Sequence, residues 1–288
     1  MTSHTQMSKQ FSLDTKSALI LEGGGMRGVF TAGVLDNLMD REIQFPYVIG
    51  VSAGACCALS YMAHQRGRAK YGNIDLLEQY NYIGIGNLIF KGNIMDFDLL
   101  FHTFPEKIYP YDYEALARNS ARFEIVTTSC LTGKPCYYDE RQSPRRIIDI
   151  VKASSSMPFV SPIVKVDGEP MLDGGIADSI PLMRAIGQGY KNNMVVLTRN
   201  RGYRKPDRPS RVPFFYYRKY PAMRKAIMER NAMYNRQIEQ VERLEEEGKV
   251  TVLRPVNPIV VDRIERDCNK LLALYNEGYN CANGIQFL

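Results

Sequence analysis

The chain has 288 residues, of which 45% are hydrophobic and 24% are charged, a balance typical of water-soluble globular proteins. Glycine and proline are scattered, which excludes collagen-like and low-complexity structures. The longest apolar runs, such as the one containing Met194–Leu197, are far shorter than the stretch of about twenty residues that a membrane-spanning helix needs. The start, Met1–Lys16, lacks the basic-then-apolar order of a signal peptide. We therefore expect a cytoplasmic protein without a transmembrane segment, touching membranes only from the side.

The cysteines fit that compartment. None of the six forms a C-x-x-C pair, and no histidine stands near them in the sequence. We therefore expect reduced thiols rather than a disulfide framework, and neither a zinc site nor another metal site.

The first sixty residues alternate between strand and helix patterns. Ser17–Glu22 and Tyr47–Gly50 are short apolar runs typical of buried strands. Gly28–Arg41 has helical spacing, and a second helix is predicted from near Ala53. This alternation predicts a parallel sheet covered by helices.

The rest of the chain continues this mixture. Residues Ile74–Tyr113 are rich in aromatic side chains and have little periodicity, which fits either a cap over the sheet or ordinary packing of irregular structure. Two hairpins are predicted, each with a turn sequence at its tip. The other predicted elements are helices at Arg145–Ala153, Ala222–Glu247 and Asp262–Tyr279, strands at Asn193–Thr198 and Lys249–Arg254, and hairpins of Arg122–Ser129 with Pro135–Asp139 and of Val160–Val166 with Glu169–Leu172.

A glycine-rich loop follows the first predicted strand and reads Gly23-Gly24-Gly25-Met26-Arg27-Gly28. Backbone N–H groups at such a turn, before a helix, attract negative charge. The loop also fits the G-x-G-x-x-G pattern, so a nucleotide- or phosphate-binding module is an alternative function. A dinucleotide site needs an acid at the end of the second strand, whereas Asp40 and Glu42 stand before that strand.

The second motif is Gly50-Val51-Ser52-Ala53-Gly54, between a predicted strand and a predicted helix. G-x-S-x-G is the pattern of the nucleophile elbow, which exposes a serine on a tight strand-to-helix turn. Ser52 is therefore the candidate nucleophile.

The third motif is Asp173-Gly174-Gly175, after a short apolar strand. Asp173 would stand at the strand tip, where sites in α/β proteins are built. Asp178 is a rival acid, although its place before Ser179 and Pro181 is typical of a helix N-cap.

A serine nucleophile needs a base within hydrogen-bond reach. The sequence offers only His4 in the polar start, His64 beyond the elbow helix, and His102 in the aromatic stretch. A histidine-containing triad is poorly supported, although His102 stays open. An aspartate that acts directly on the serine is the simplest arrangement left.

These three motifs, in this order, resemble the patatin-like phospholipases. The stretch Ala153-Ser154-Ser155-Ser156-Met157-Pro158 is similar to the A-S-x-x-x-P segment that precedes the aspartate in that family. The likeness covers roughly 18–200, and residues 201–288 resemble the extensions of bacterial members. We accordingly expect a polar tail at 1–16, a catalytic core at 17–200 and a C-terminal extension at 201–288 packed on the same domain.

The resemblance implies a three-layer α/β/α sandwich with a mainly parallel sheet. It implies a serine acyl hydrolase of lipid esters in which Ser52 attacks and Asp173 takes the proton. The N–H groups around Gly24, Gly25 and Met26 would hold the oxyanion, and this chemistry needs no cofactor. Arg27 occupies the family's basic position in the loop, with a structural or anion-holding role.

The net charge of +6 is concentrated in one segment. Arg199–Lys225 contains ten basic residues and a single acid, Asp207, interleaved with aromatic residues. This pattern fits three functions: a grip on anionic lipid headgroups, a nucleic-acid surface, or a solvated loop whose aromatic residues pack inward. An esterase must reach its substrate's interface, so peripheral contact with an anionic membrane is favoured and no nucleic-acid partner is expected.

Overall fold

A computed structural model describes residues 9–288. Its strands are β1 (Lys9–Phe11), β2 (Ser17–Leu21), β3 (Tyr47–Val51), β4 (Arg122–Ser129), β5 (Pro135–Tyr138), β6 (Val164–Val166), β7 (Glu169–Asp173), β8 (Asn192–Val196), β9 (Val250–Leu253) and β10 (Ile285–Phe287).

The helices come from the segments between these strands. They are α1 (Val29–Asp40), α2 (Ala53–Met62), α3 (Arg68–Lys70), α4 (Leu76–Tyr80), α5 (Ile85–Lys91), α6 (Tyr113–Arg118), α7 (Pro144–Ser154), α8 (Leu182–Gly187), α9 (Pro221–Glu246) and α10 (Cys268–Asn283). Short 3₁₀ turns cover Gly25–Gly28 and Gly174–Ile176, and wider π-type turns cover Tyr71–Asp75 and Leu99–Ile108. Within the described chain, no helix combines the length and the apolar character needed to cross a membrane.

The main sheet has the strand order β6-β7-β4-β3-β2-β8-β9, and β5 adds to β4. The central strands β4, β3, β2, β8 and β9 are parallel, whereas β5, β6 and β7 pair in antiparallel fashion. Strand β2 shows how both faces are covered: Leu19 and Leu21 join the core with α1, α2 and α10, while Ala18 and Ile20 join the core with α8 and α9. The fold is the expected three-layer α/β/α sandwich.

The first and last strands of the described residues pair with each other. Strand β9 belongs to the main sheet, and β1 pairs in parallel with β10, which places Lys9–Phe11 beside Ile285–Phe287. The part of the predicted tail that the structure describes is therefore partly a strand. Residues 1–8 lie outside the described chain, and the predicted division into tail, core and extension stays a prediction.

Two predicted boundaries are wrong for local reasons. The last helix begins at Cys268 rather than at Asp262, because the Asp267 carboxylate accepts from the N–H groups of Asn269 and Lys270 and caps the helix there. Strand β6 begins at Val164 rather than at 160, since Pro162 lacks a backbone N–H for strand pairing.

Two glycines let α1 and α10 approach closely. A Cβ added at Gly33 would lie 2.0 Å from the carbonyl oxygen of Tyr275, and one at Gly278 would lie 2.1 Å from that of Phe30. These are backbone atoms, so the helices would have to separate.

We expect Gly278→Ala to lower the free energy of unfolding by about 3 kcal/mol, because the added methyl group overpacks the contact between α1 and α10. Urea denaturation measures the loss. The matched control is Gly187→Ala at the end of α8, where a Cβ meets nothing within 4 Å. Equal stability of the two variants would contradict the packing argument.

Candidate active site

Ser52 stands between β3 and α2 with φ 54° and ψ −122°, a conformation that L-residues rarely adopt. Such backbone strain costs about 1–3 kcal/mol and persists only when the surroundings enforce it. The motif's glycines provide the space. A Cβ at Gly54 would lie 2.7 Å from the carbonyl oxygens of Leu21 and Glu22, and one at Gly50 would lie 2.8 Å from the Ala55 backbone. The G-x-S-x-G spacing is therefore a packing requirement of this turn.

The segment after α7 connects the predicted nucleophile with the predicted base. Ser154 Oγ accepts from the Ser52 N–H (2.8 Å) and donates to the Val126 carbonyl (2.6 Å). Two residues later, the Ser156 carbonyl accepts from the Asp173 N–H (2.9 Å). This stretch of serines, which the sequence marked only through the family resemblance, thus fixes the backbones of both residues.

Asp173 ends a strand that runs antiparallel to the strand before Ser52, yet the two residues lie near the same edge of the sheet. In the sheet, Val51 pairs with Val126 of β4, and Asp173 pairs with the next residue, Thr127. Asp173, the last residue of β7, therefore lies beside the carboxyl end of β3, although β7 runs antiparallel to β4. Strands β3 and β7 flank β4, which sets their axes about 10 Å apart.

Both side chains face one small cavity. Ser52 is 7% exposed and Asp173 is 4% exposed, and both line a cavity of about 40 Å³. Asp173 Oδ1 accepts from the Gly175 N–H (2.7 Å), while Oδ2 accepts no hydrogen bond from any residue in 9–288. No hydrogen bond joins Ser52 Oγ to Asp173 in this structure, so proton transfer between them needs a movement of the side chains or a bridging water.

The cavity that Ser52 and Asp173 share carries several positive charges, and we call it the cationic cavity. Its wall includes the carboxylate of Glu22, which accepts from the N–H and hydroxyl of Thr198 and from the hydroxyl of Tyr234. The basic side chains on its wall are Arg27, Arg199, Lys205, Arg230 and Arg263.

Ser52 also lines a second cavity of about 130 Å³ on its other side, which we call the apolar cavity. Its wall includes many residues of the aromatic stretch, which therefore both packs and covers the site: Tyr82, Met95, Phe97, Leu100, Phe101, Phe104, Pro105 and Tyr111. One charged group interrupts it: Arg68 is 6% exposed and lies over the rings of Phe104 and Tyr111.

The glycine loop offers two free donors. The N–H groups of Gly24 and Gly25 donate to no acceptor within residues 9–288, and Gly25 has φ 59°, which suits glycine. Met26 differs, because its N–H donates to the carbonyl oxygen of Arg263 (3.0 Å). Met26 could help to hold an oxyanion only if that contact opens.

Residues 19–186, more than half of the chain, match the patatin-like phospholipase family. The chain belongs to the patatin-like phospholipase family. Residues 220–285 match a domain of unknown function, DUF6363. The chain is 31% identical over 186 residues to the uncharacterized protein YjjU of Escherichia coli (strain K12), an alignment covering 63% of this chain and 51% of that protein. The chain thus spans about half the length of that relative.

Two further similarities accompany the family match. The chain is 25% identical over 199 residues to the probable lipid hydrolase 463L of Invertebrate iridescent virus 6, covering 64% of this chain and 68% of that protein. Among solved structures it is similar to VipD from Legionella pneumophila, with a TM-score of 0.42 and 12% identity, over 93% of this chain and 66% of that one.

The other sequence candidates lie away from this patatin-like site. His64 and His102 are exposed and line neither cavity, and His4 lies outside the described residues. Asp178 does not cap a helix as predicted; its carboxylate accepts from Tyr137 and Gln237, which ties β5 to α9. Asp40, weighed as a ribose anchor, pairs with Arg66 at the far end of α1 from the glycine loop.

The basic segment Arg199–Lys225 does not form one surface. Arg201 and Arg204 pair with Glu246 and Glu242 of α9, at 2.7 Å and 2.6 Å. Arg199 and Lys205 line the cationic cavity instead. Arg208, Arg211, Arg218 and Lys219 are exposed, and Arg218 lies over the ring of the exposed Phe214.

Three residues of the cationic cavity were not identified as site residues from the sequence, namely Lys205, Arg230 and Arg263. They come from segments far apart in the chain and share no motif, so no sequence pattern could have grouped them. Among the described residues, no group of three or more histidine, cysteine, aspartate or glutamate side chains is arranged to hold a metal ion.

At position 52 the strained turn should make glycine more stable than alanine, the opposite of the order in a regular helix. We expect Ser52→Gly to be more stable than Ser52→Ala by about 1 kcal/mol, since both lack the hydroxyl but only glycine relieves the positive φ. Thermal unfolding should show this as about 2–4 °C in Tm.

The control pair is Ser60→Gly and Ser60→Ala, in the regular part of α2. There alanine should be the more stable residue by about 1 kcal/mol. The same order of stability at both positions would refute strain at Ser52.

Proposed function

We propose that the protein is a lipid acyl hydrolase that uses Ser52 as nucleophile and Asp173 as general base. Family membership supports the reaction class. The observation that carries the proposal is that a serine on a strained elbow and a carboxylate with a free oxygen line one cavity beside unpaired glycine N–H groups.

In the first step, Ser52 Oγ attacks the ester carbonyl carbon while Asp173 takes the hydroxyl proton. The carbonyl oxygen becomes negative and receives hydrogen bonds from the N–H groups of Gly24 and Gly25, each worth about 3 kcal/mol in the transition state. The bond to the alcohol then breaks, and the alcohol leaves with the proton from Asp173.

In the second step, Asp173 takes a proton from a water molecule, whose oxygen attacks the acyl group on Ser52. The ester bond to Ser52 breaks, its oxygen regains the proton, and a fatty acid leaves. The apolar cavity supports this reading, because its aromatic and aliphatic wall begins at Ser52 and suits an acyl chain.

The alternative nucleotide-binding function has less support. The glycine loop precedes a helix as that function requires, but the candidate ribose anchor Asp40 is held at the opposite end of α1.

We expect Ser52→Ala and Asp173→Asn each to lower kcat/KM for a chromogenic acyl ester by at least about 10³-fold, because each removes one member of the reacting pair. A fluorophosphonate probe should label the wild type and not Ser52→Ala. The controls are His64→Asn and His102→Asn, which should keep activity within about twofold. Activity that survives in Ser52→Ala, or is lost in His102→Asn, would overturn the dyad.

We also propose that the rim of the site contacts an anionic lipid surface. Phe214 and Phe215 are 75% and 70% exposed, with Arg218 against the Phe214 ring. This rim adjoins the site because the neighbouring Tyr216 packs on Phe159 (5.1 Å between ring centres), close in sequence to Met157, which lines both cavities. Exposed aromatic residues beside cations are typical of interfacial binding.

We expect the double variant Phe214→Ser/Phe215→Ser to bind vesicles of phosphatidylglycerol and phosphatidylcholine at least about tenfold more weakly, since each ring buried in lipid contributes about 1.5–3 kcal/mol. Co-sedimentation measures the affinity. The control, Val256→Ser, alters an apolar residue that is 79% exposed in the loop after β9 and should change binding less than about twofold. Equal binding by all three proteins would exclude this surface.

A further inference from the structure

The cationic cavity gathers its positive side chains from four parts of the chain. Arg27 belongs to the glycine loop, Arg199 and Lys205 follow β8, Arg230 lies on α9, and Arg263 precedes α10. Within residues 9–288, none of the five forms an ion pair with a carboxylate. Their sequence neighbours Arg201 and Arg204 are paired with glutamates of α9. The cavity therefore gathers five basic side chains that no carboxylate of the described chain neutralises as an ion pair.

Arg27 shows this most clearly. It is 4% exposed, it lines the cavity, and its Nε has no hydrogen-bond partner among residues 9–288. Burial, together with Arg199 and Arg263, lowers the pKa of Arg27 to about 10. A buried charge without a partner is costly, so a counter-charge in the cavity would stabilise it.

Lys205 is similarly placed. Its ammonium lies 4.1 Å from the centre of the Tyr234 ring, and burial, with Arg230 and Arg263 nearby, lowers its pKa to about 6 although Glu22 and Asp173 oppose the shift. Within the part of the chain that the structure describes, Arg230 donates only to the Gly175 carbonyl (2.7 Å). An anion among these groups would restore the charged form of Lys205.

The two carboxylates on the wall do not supply that anion. Glu22 is hydrogen-bonded to Thr198 and Tyr234, and Asp173 is held by the Gly175 N–H. The four arginines against these two carboxylates leave an excess of two positive charges before Lys205 is counted, which suits a dianion better than a monoanion. A phosphate monoester carries about −1.5 to −2 charges at pH 7 and three acceptor oxygens.

Ser52 lies on the walls of both cavities, so a substrate that occupies both would have its apolar part on one side of Ser52 and its polar part on the other. An acyl chain in the apolar cavity and a phosphate in the cationic cavity would leave the ester at Ser52.

We propose that the cationic cavity binds the terminal phosphate of a single-chain phosphate-monoester lipid, so that the substrate class is the 1-acyl glycerol 3-phosphates. The claim that this lipid is hydrolysed rests on the proposed function. The claim that the cavity binds its phosphate rests on the basic side chains that form no ion pair.

The first test compares kcat/KM for a lysophosphatidate with kcat/KM for the monoacylglycerol of the same chain, which lacks only the phosphate, with both substrates kept monomeric. The wild type should prefer the lysophosphatidate at least tenfold, and Lys205→Gln and Arg230→Gln should each reduce this ratio at least tenfold. The control Arg201→Gln, in the same segment but outside the cavity, should leave the ratio unchanged.

The outcomes separate the two proposals. If the monoacylglycerol is hydrolysed equally well and the variants keep the ratio, the phosphate site is wrong and the hydrolase proposal survives. If a lysophosphatidylcholine is preferred, the phosphate-monoester assignment is wrong. If no ester is hydrolysed, the hydrolase proposal fails, and the binding test below then shows whether the cavity holds a phosphate.

The binding test uses Ser52→Ala, calorimetry, and a 1-O-alkyl glycerol 3-phosphate that cannot be hydrolysed. The ether lipid should bind at least a hundredfold more tightly than inorganic phosphate, and addition of Arg230→Gln should weaken it at least tenfold. Equal affinity for inorganic phosphate would assign the cavity to free phosphate instead. Absence of binding by the ether lipid would overturn the inference.

Discussion

The site depends on one backbone constraint, the positive φ of Ser52 at the end of β3. The turn exists because Gly50 and Gly54 let α2 start against β2 and β3, and because Ser154 Oγ holds the Ser52 N–H. Ser156 in turn holds the backbone of Asp173, so α7 sets the relation between two residues that come from different strands. The position of the serine hydroxyl is thus determined by packing and two hydrogen bonds rather than by the serine itself.

A second property of the site is electrostatic asymmetry around that hydroxyl. The apolar cavity offers aromatic and aliphatic walls on one side, and the cationic cavity offers unpaired basic groups on the other. The two environments would orient an amphipathic molecule before any bond changes. An apolar chain in the cationic cavity, or a charged group in the apolar cavity, would have a higher free energy than in the reverse arrangement. Arg68 is the one buried cation on the apolar side, and aromatic rings surround it.

The sequence predicted the parts of this site that leave local traces. A tight elbow and an acid followed by glycines need particular residues at fixed spacing, so Ser52 and Asp173 could be proposed from short motifs, and the alternation of elements predicted the layered fold. The reversed direction of β7 left no such trace, since pairing direction depends on distant strands. The sequence also did not identify Lys205, Arg230 and Arg263 as site residues, because only the folded chain brings them together.

Arg263 contributes to the site twice, through its carbonyl on the Met26 N–H and through its side chain on the wall of the cationic cavity. A single residue of the loop between β9 and α10 therefore contacts the glycine loop and also lines the cationic cavity. A substitution or insertion in this loop therefore has two effects at once: a change that adapts the cationic cavity to another ligand would also shift the glycine-loop N–H groups beside Ser52. The proposed site therefore includes residues beyond the patatin match, which ends at residue 186.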